Sequence, residues 1–172
     1  SSAASDVYKR QDLGNSFYEK WLDESMTYSS AMFKDPGDNL HKGQINKYEN
    51  LANITGVKEC DKILEVGCGW GGFSSFLAKR YSANVTAITI SKKQYEKAKQ
   101  KIYDDKLTDK VDVKLLDYRN INGKYDKIVS IEMFEAVGEK YWSKYFDVLK
   151  KNLKSDGSIA VSYTHLRAHE TV

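Results

Sequence analysis

Residues 63–72 read Ile-Leu-Glu-Val-Gly-Cys-Gly-Trp-Gly-Gly, and they are more informative about the fold than any other part of the chain. An apolar run that ends in closely spaced glycines is typical of a buried strand and a tight turn, because glycine adopts backbone conformations that other residues avoid. Large apolar residues then recur at helical spacing: Phe73, Phe76, Leu77 and Tyr81. The stretch therefore predicts a strand, a glycine turn and an amphipathic helix whose unpaired N–H groups face the turn.

Two kinds of nucleotide cofactor bind such a turn, and nearby acidic residues distinguish them. Gly67, Gly69 and Gly72 fit the G-x-G-x-x-G pattern of dinucleotide-binding proteins. That class also needs an acid about 20 residues further on for the ribose, whereas the strand predicted at residues 84–89 runs into Thr-Ile-Ser. Glu65, at the tip of the first strand, could instead hydrogen-bond a cationic amino-acid head group. The pattern therefore favours S-adenosylmethionine over NAD.

The composition is that of a soluble single-domain protein. The chain has 172 residues, of which 30% are charged and 12% aromatic. No run approaches the roughly 18 apolar residues of a membrane span, and no secretory signal is recognisable. A net charge of +3 is too small to indicate nucleic-acid binding. The only two cysteines, Cys60 and Cys68, resemble neither a disulfide framework nor a metal site, so we expect a reducing, cytoplasmic compartment.

The two ends of the chain look foreign to the rest. Residues 1–11 carry no periodicity, and residues 162–172 interrupt an apolar strand with a polar tail. Both resemble translated adapter sequence that recurs at the ends of assembled environmental sequences, so we expect them to be non-native. Between them we expect an N-terminal helical segment at 12–58 and a cofactor-binding core at 59–161.

The core alternates between strand and helix patterns. Predicted strands lie at 62–66, 84–89, 111–116, 126–131 and 157–161, and predicted helices at 72–82, 92–104 and 141–152. Another helix is predicted at about 38–54 with Gly56 as its stop, and Ser91 with Gln94 predicts a capping box. This alternation predicts an α/β fold with a doubly wound, mainly parallel sheet and helices on both faces. Ligands bind such sheets at the carboxyl ends of the strands.

Ordered motifs at those strand ends and near the N-terminus carry a family resemblance. They are Asp-Leu-Gly-Asn-Ser-Phe-Tyr at 12–18, Met-Thr-Tyr-Ser-Ser-Ala at 26–31, Gly-Cys-Gly-Trp-Gly at 67–71, Thr-Ile-Ser-Lys-Lys-Gln at 89–94, Asp-Tyr-Arg at 117–119 and Glu-Met-Phe-Glu-Ala-Val-Gly at 132–138. Together they resemble the cyclopropane-fatty-acyl-phospholipid synthase family of class I methyltransferases, which includes the mycolic acid cyclopropane synthases. The resemblance implies a Rossmann-like fold, an N-terminal helical cover over the cofactor and a C-terminal truncation.

The resemblance also implies which residues hold S-adenosylmethionine. They are Tyr28 and Ser29 over the methionine carboxylate, Glu65, Gly67, Cys68 and Gly69 at the amino-acid head and ribose, Thr89, Ile90 and Gln94 at the ribose, and Asp117, Tyr118 and Arg119 beside the adenine. Simpler alternatives stay open: Tyr28 could only pack, Gln94 could only cap its helix, and Tyr118 could be a half-buried loop aromatic.

Glu135 is the catalytic candidate that the resemblance implies. In this family the glutamate of Phe-Glu-x-x-Gly helps to hold a bicarbonate ion beside the transferred methyl group, and Ser30 stands where a cysteine often completes that pocket. Forming a cyclopropane from an alkene leaves positive charge on the acceptor and requires the loss of one proton from the added carbon. A fixed anion in a water-poor site stabilises that charge and accepts the proton.

The implied activity is methylene transfer to the cis double bond of phospholipid acyl chains. We expect a cytoplasmic enzyme that touches the membrane surface peripherally, has no transmembrane segment and forms a homodimer when complete. Three alternatives remain: N-methylation of a small amine, since plant alkaloid N-methyltransferases share this layout, alkene methylation without ring closure, and a catalytically silent S-adenosylmethionine-binding domain.

Overall fold

A computed structural model describes residues 40–131 and 142–162 of the chain. Its elements are α1 (Leu40–Thr55), β1 (Lys62–Val66), α2 (Gly72–Tyr81), β2 (Asn84–Thr89), α3 (Lys92–Asp104), β3 (Val111–Leu115), a one-turn 3₁₀ helix (Tyr118–Asn120), β4 (Tyr125–Ile131), α4 (Trp142–Lys151) and β5 (Leu153–Ser162). The predicted bounds of β1, β2 and α3 are confirmed, because clear glycine turns and caps separate these elements in the sequence.

The five strands form one parallel sheet in the order β3-β2-β1-β4-β5. The chain builds outward from β1 through β2 to β3, and then returns to place β4 on the other side of β1. The predicted doubly wound α/β fold is therefore confirmed. The strand order reverses beside β1, and ligands bind outside the carboxyl ends of the strands at such a switch point.

Helices cover both faces of the sheet, and each face has its own apolar core. One core packs beneath α4 and includes Leu64, Val66, Ile128, Tyr145, Leu149 and Ile159. The other packs beneath α1, α2 and α3 and includes Leu51, Ile63, Leu77, Val85, Ile102 and Val129. Because β1 is buried on both faces, its sequence is almost continuously apolar. Apart from the exposed Lys62 at its start, Glu65 is the one charged residue of this strand, and it is buried.

Strand β5 begins earlier than the sequence predicts. Leu153 already pairs with Tyr125, and regular pairing resumes only at Ser158 opposite Lys127, so the segment between them bulges out of the ladder. The intervening Lys-Ser-Asp-Gly resembles a loop, which is why the sequence predicts a strand only from 157. Gly157 is tightly packed, since a Cβ there would lie 2.6 Å from a methyl carbon of Leu153.

Residues 1–39, 132–141 and 163–172 lie outside the described part of the chain. Most of the predicted helical cover, the suspected non-native tail at 1–11, the motif at 132–138 and all of the second suspected tail except Ser162 are among them. Within residues 40–131 and 142–162, no helix is both long enough and apolar enough to cross a membrane.

Replacing Gly71 by alanine is expected to lower the free energy of unfolding by about 1–2 kcal/mol or more. Gly71 caps the start of α2 at φ +86°, where an L-residue is strained, and its Cβ would lie 3.3 Å from the backbone of Ala98 in α3. Gly56 ends α1 at φ +72° with nothing within 4 Å of its Cβ position, so Gly56→Ala is the matched control. Urea denaturation should show the larger loss at Gly71, and equal losses would contradict a close approach of the two helices.

Candidate functional site

The glycine turn opens onto a cavity of about 320 Å³ beside the carboxyl end of β1. Helix α1, strand β1 and the start of α2 contribute to its wall. The residues that line it are Gln44, Lys47, Tyr48, Glu65, Gly67, Cys68, Gly69, Trp70, Gly72, Phe73 and Lys101. Its position at the switch point is where this class of sheet binds ligands.

Glu65 is the principal charged group of this cavity. Its side chain is 1% exposed, and the Ser74 hydroxyl donates a 3.0 Å hydrogen bond to Oε1. Among the described residues, nothing hydrogen-bonds Oε2, which is also buried. Burial raises the pKa of Glu65 from 4.5 to about 8, while the hydrogen bond from Ser74 acts in the opposite direction. A buried acid with an unused acceptor oxygen fits a ligand that brings a cationic hydrogen-bond donor.

The glycine loop is tied to the neighbouring strand, and this fixes its shape. The N–H groups of Gly67 and Cys68 both donate to the carbonyl of Ile88, at 2.9 and 3.0 Å. Gly69 has φ +52°, and a Cβ placed there would meet nothing within 4 Å. The loop is therefore anchored to β2 yet leaves open space above Gly69, where a ligand can approach the backbone.

Cys68 lines this cavity, but its thiol is not reactive. The side chain is 5% exposed. Burial, and after it the charge of Glu65, raise the pKa of Cys68 to about 12. Because the thiolate is the nucleophilic form, Cys68 is inert at neutral pH.

Iodoacetamide is therefore expected to modify Cys60 and to leave Cys68 unmodified in the folded protein. Cys60 is exposed, whereas Cys68 is buried and keeps its thiol proton. Mass spectrometry of tryptic peptides measures both sites, and urea-unfolded protein, in which both should react, is the control. Equal labelling of the two cysteines in the folded state would contradict this geometry.

The loop after β2 brings Thr89, Ile90 and Gln94 to the same edge of the sheet. The Thr89 hydroxyl donates to the Gln94 side-chain oxygen at 3.0 Å and accepts from the Ser91 N–H at 3.1 Å. Ser91 caps α3 as predicted, accepting from the Gln94 N–H at 3.2 Å. A full capping box would also have the Ser91 N–H donate to the Gln94 side chain, and this part of the prediction is wrong. The Gln94 side-chain oxygen accepts from Thr89 instead, and the Ser91 N–H donates to the Thr89 hydroxyl. Ile90 is a large apolar residue that is 66% exposed at this rim.

The loop after β3 holds Asp117, Tyr118 and Arg119 on and beside the 3₁₀ helix. Asp117 accepts hydrogen bonds from the Arg119 backbone N–H at 2.9 Å and from its guanidinium at 2.8 and 3.0 Å. These bonds hold the pKa of Asp117 below its usual range. The Tyr118 ring packs edge-on against Tyr145 at 4.8 Å, so this residue has a packing role.

The structure thus brings the residues of three predicted loops to one edge of the sheet. Tyr28, Ser29, Ser30 and Glu135 lie outside the described residues. Gln44 and Lys47 of α1 also line the cavity, and neither was predicted from the sequence. One signal was present: Lys47 lies four residues before Leu51 on the face of α1 that turns inward, and a lysine is unusual at such a position.

Comparison with known proteins agrees with this geometry. A sequence model of the family described as mycolic acid cyclopropane synthetase matches residues 1–172. A probable fatty acid methyltransferase of Pseudomonas putida is 40% identical over 150 residues, covering 86% of this chain and 38% of the relative. The cyclopropane-fatty-acyl-phospholipid synthase of Escherichia coli K12 is 38% identical over 146 residues, covering 85% of this chain and 37% of that enzyme.

Solved structures with the same fold include the mycolic acid cyclopropane synthase CmaA1 in complex with SAH and CTAB. It is 29% identical and superimposes with a TM-score of 0.73 over 91% of this chain and 55% of its own. This chain therefore spans well under half the length of the two curated relatives and about half of the solved one. By the match along its whole length, the chain belongs to the mycolic acid cyclopropane synthetase family.

Proposed function

We propose that this protein is an S-adenosylmethionine-dependent methyltransferase that adds a methylene group to the cis double bond of phospholipid acyl chains, forming a cyclopropane. One observation carries the proposal: Glu65 is buried at the switch point with an acceptor oxygen that no described residue uses. That oxygen fits the ammonium of an amino-acid head group. The names of the P. putida and E. coli relatives support lipid chemistry.

The described residues fit S-adenosylmethionine along its length. Glu65 would bind the ammonium, and Gly67, Cys68 and Gly69 would leave room for the head group and ribose to approach the backbone. The Thr89–Gln94 pair offers a hydroxyl and an amide to the ribose hydroxyls, and the exposed Ile90 offers it an apolar surface. Asp117 and Arg119, together with Tyr118, would flank the adenine.

The bound cofactor would supply an electrophilic methyl group. The protein would exclude water and hold the acceptor double bond next to that group, within about 3–3.5 Å. Tyr28 and Ser29 would close over the cofactor carboxylate. Ring closure on the acceptor releases one proton from the added carbon. We propose that Glu135 takes this proton, directly or through a bicarbonate ion held beside Ser30.

The proposed substrate also sets where the protein works. We propose a cytoplasmic enzyme that meets phospholipids at the membrane surface without crossing the bilayer, and that forms a homodimer as a complete protein. Vesicle flotation of the complete protein tests binding to the membrane surface, and analytical ultracentrifugation tests the homodimer.

The activity is tested by following the methyl carbon. The complete protein that contains this chain is incubated with methyl-labelled S-adenosylmethionine and a phospholipid with cis-monounsaturated chains. The same lipid with saturated chains is the matched control, and a panel of small amines is a separate arm. We expect label only in the unsaturated lipid, in a product that carries a ring and no methyl branch.

Other outcomes would identify the alternative functions. A methyl-branched chain would indicate alkene methylation without ring closure, and label in an amine would indicate an N-methyltransferase. Binding of S-adenosylhomocysteine without any transfer would indicate a catalytically silent domain.

A further inference from the structure

We propose that Tyr145 of α4 is a positioning residue for adenine binding: Ser130 fixes its ring, and that ring holds Tyr118 in the loop that flanks the base. This inference rests on the proposed function, which places the adenine beside residues 117–119. It adds a pair of residues from α4 and β4, neither of which lines the cavity beside Glu65.

Ser130 lies near the carboxyl end of β4, close to the glycine loop. It pairs with Val66, the last residue of β1, so it sits next to the point where that loop begins. Its buried side chain faces α4, because Ile128, two residues earlier, belongs to the apolar core on that face of the sheet. The hydroxyls of Ser130 and Tyr145 lie 2.7 Å apart and share a buried hydrogen bond. This bond fixes the Tyr145 ring against the sheet at the switch point.

The Tyr145 ring also contacts the loop after β3. It is fully buried and meets the Tyr118 ring edge-on, with the ring centroids 4.8 Å apart and the ring planes at 73°. This distance and angle are favourable for two aromatic rings. Burial raises the pKa of Tyr145, so its hydroxyl stays protonated at neutral pH and keeps its hydrogen bond with Ser130.

Tyr118 connects the Tyr145 ring to the groups that would flank the adenine. It is the first residue of the 3₁₀ helix, and Asp117 caps this helix by accepting from the Arg119 N–H at 2.9 Å. The Asn120 N–H donates to the Asp117 carbonyl, also at 2.9 Å. These bonds shape the turn locally, and the Tyr118 ring packs it against the core beneath α4. A binding loop needs such support if it is to present its groups at a fixed distance from a ligand.

Amide hydrogen exchange of the complete protein without ligand tests whether the pair fixes the loop. Ser130→Ala keeps the Tyr145 side chain but removes the hydrogen bond to it. We expect the amides of Arg119 and Asn120 to exchange roughly 3- to 10-fold faster, as the loss of one hydrogen bond implies. Ser158→Ala is the matched control, because it removes a 2.6 Å hydrogen bond that joins the neighbouring strand β5 to α1 on the opposite face of the sheet.

Calorimetry with S-adenosylhomocysteine and methylthioadenosine tests the consequence for binding. Both ligands carry the adenine, and only the first carries the amino-acid head group. We expect Ser130→Ala and Tyr145→Phe to weaken the binding of both ligands by the same factor, roughly 3- to 10-fold. In a Tyr118→Ala background neither substitution should weaken binding further, because both act through Tyr118. If Tyr118→Ala binds too weakly to measure, the exchange result decides.

The remaining outcomes overturn the proposal in different ways. Unchanged exchange in Ser130→Ala, or equal acceleration in Ser158→Ala, means that the hydrogen bond does not fix the loop. A loss confined to S-adenosylhomocysteine places the effect at the head group, and an undiminished loss in the Tyr118→Ala background means that Tyr145 does not act through Tyr118. If the unmodified protein binds neither ligand, the proposed function itself fails, whatever the exchange rates of the loop.

Discussion

Replacing Glu65 by glutamine is expected to weaken S-adenosylhomocysteine binding by roughly 10- to 100-fold while making the ligand-free protein more stable at neutral pH. The carboxylate is proposed to bind the ligand's ammonium, and glutamine offers only a neutral amide oxygen there. In the absence of ligand the same carboxylate is buried, with one oxygen that no described residue hydrogen-bonds. Its ionised form is therefore costly, and the neutral amide avoids that cost.

The direction of the pH dependence follows from the raised pKa of Glu65. Unfolding restores the ordinary value of 4.5, whereas the folded protein keeps the proton up to about pH 8. Between these two values the unfolded state binds fewer protons, so stability falls as the pH rises. At pH 7 the loss is on the order of 3 kcal/mol. Glu65→Gln should remove this decline.

Ligand binding should release the proton that Glu65 holds in the ligand-free protein. A ligand ammonium favours the carboxylate, so binding near pH 7 should release up to one proton, and affinity should rise with pH up to about 8. Calorimetry in buffers of different ionisation enthalpy measures the released proton. Ser74→Ala is the matched variant: it keeps the carboxyl group but removes the 3.0 Å hydrogen bond, so the affinity rise should move to higher pH. Proton release that persists in Glu65→Gln would contradict the assignment.

Replacing Glu135 by glutamine is expected to slow methylene transfer by roughly 10²- to 10⁴-fold and to leave S-adenosylhomocysteine affinity unchanged. Glutamine keeps the size of glutamate and its ability to form hydrogen bonds, but it cannot accept the proton that ring closure releases. A loss confined to turnover would separate a chemical role from a role in binding.

Single-turnover transfer to an unsaturated lipid measures this effect, and calorimetry measures the affinity. Glu139→Gln is the control, since it changes an acid in the same stretch but outside the Phe-Glu-x-x-Gly motif. Undiminished transfer in Glu135→Gln, or an equal loss in Glu139→Gln, would show that Glu135 is not the proton acceptor.

Much of the fold could be predicted from local patterns. The bounds of β1, β2 and α3 follow from apolar runs, glycine turns and the Ser91 cap, each of which depends on residues close together in the chain. The early start of β5 could not be predicted, because the pairing of Leu153 with Tyr125 depends on a strand far away in sequence. The residues at 154–157 favour a loop, whereas the pairing of Leu153 with Tyr125, just before that segment, depends on tertiary packing.

The candidate site likewise has features that the local sequence predicts and features that depend on distant residues. The sequence alone showed which strand ends carry polar and glycine residues, and it predicted that they lie together because the carboxyl ends of parallel strands meet at one edge. The contacts of those side chains could be seen only in the folded protein. In the structure the Gln94 side chain accepts from Thr89 and Asp117 accepts from Arg119. No described residue hydrogen-bonds one oxygen of Glu65, and Lys47 of α1 lines the same cavity. Such contacts join residues through packing and burial, and no local pattern records them.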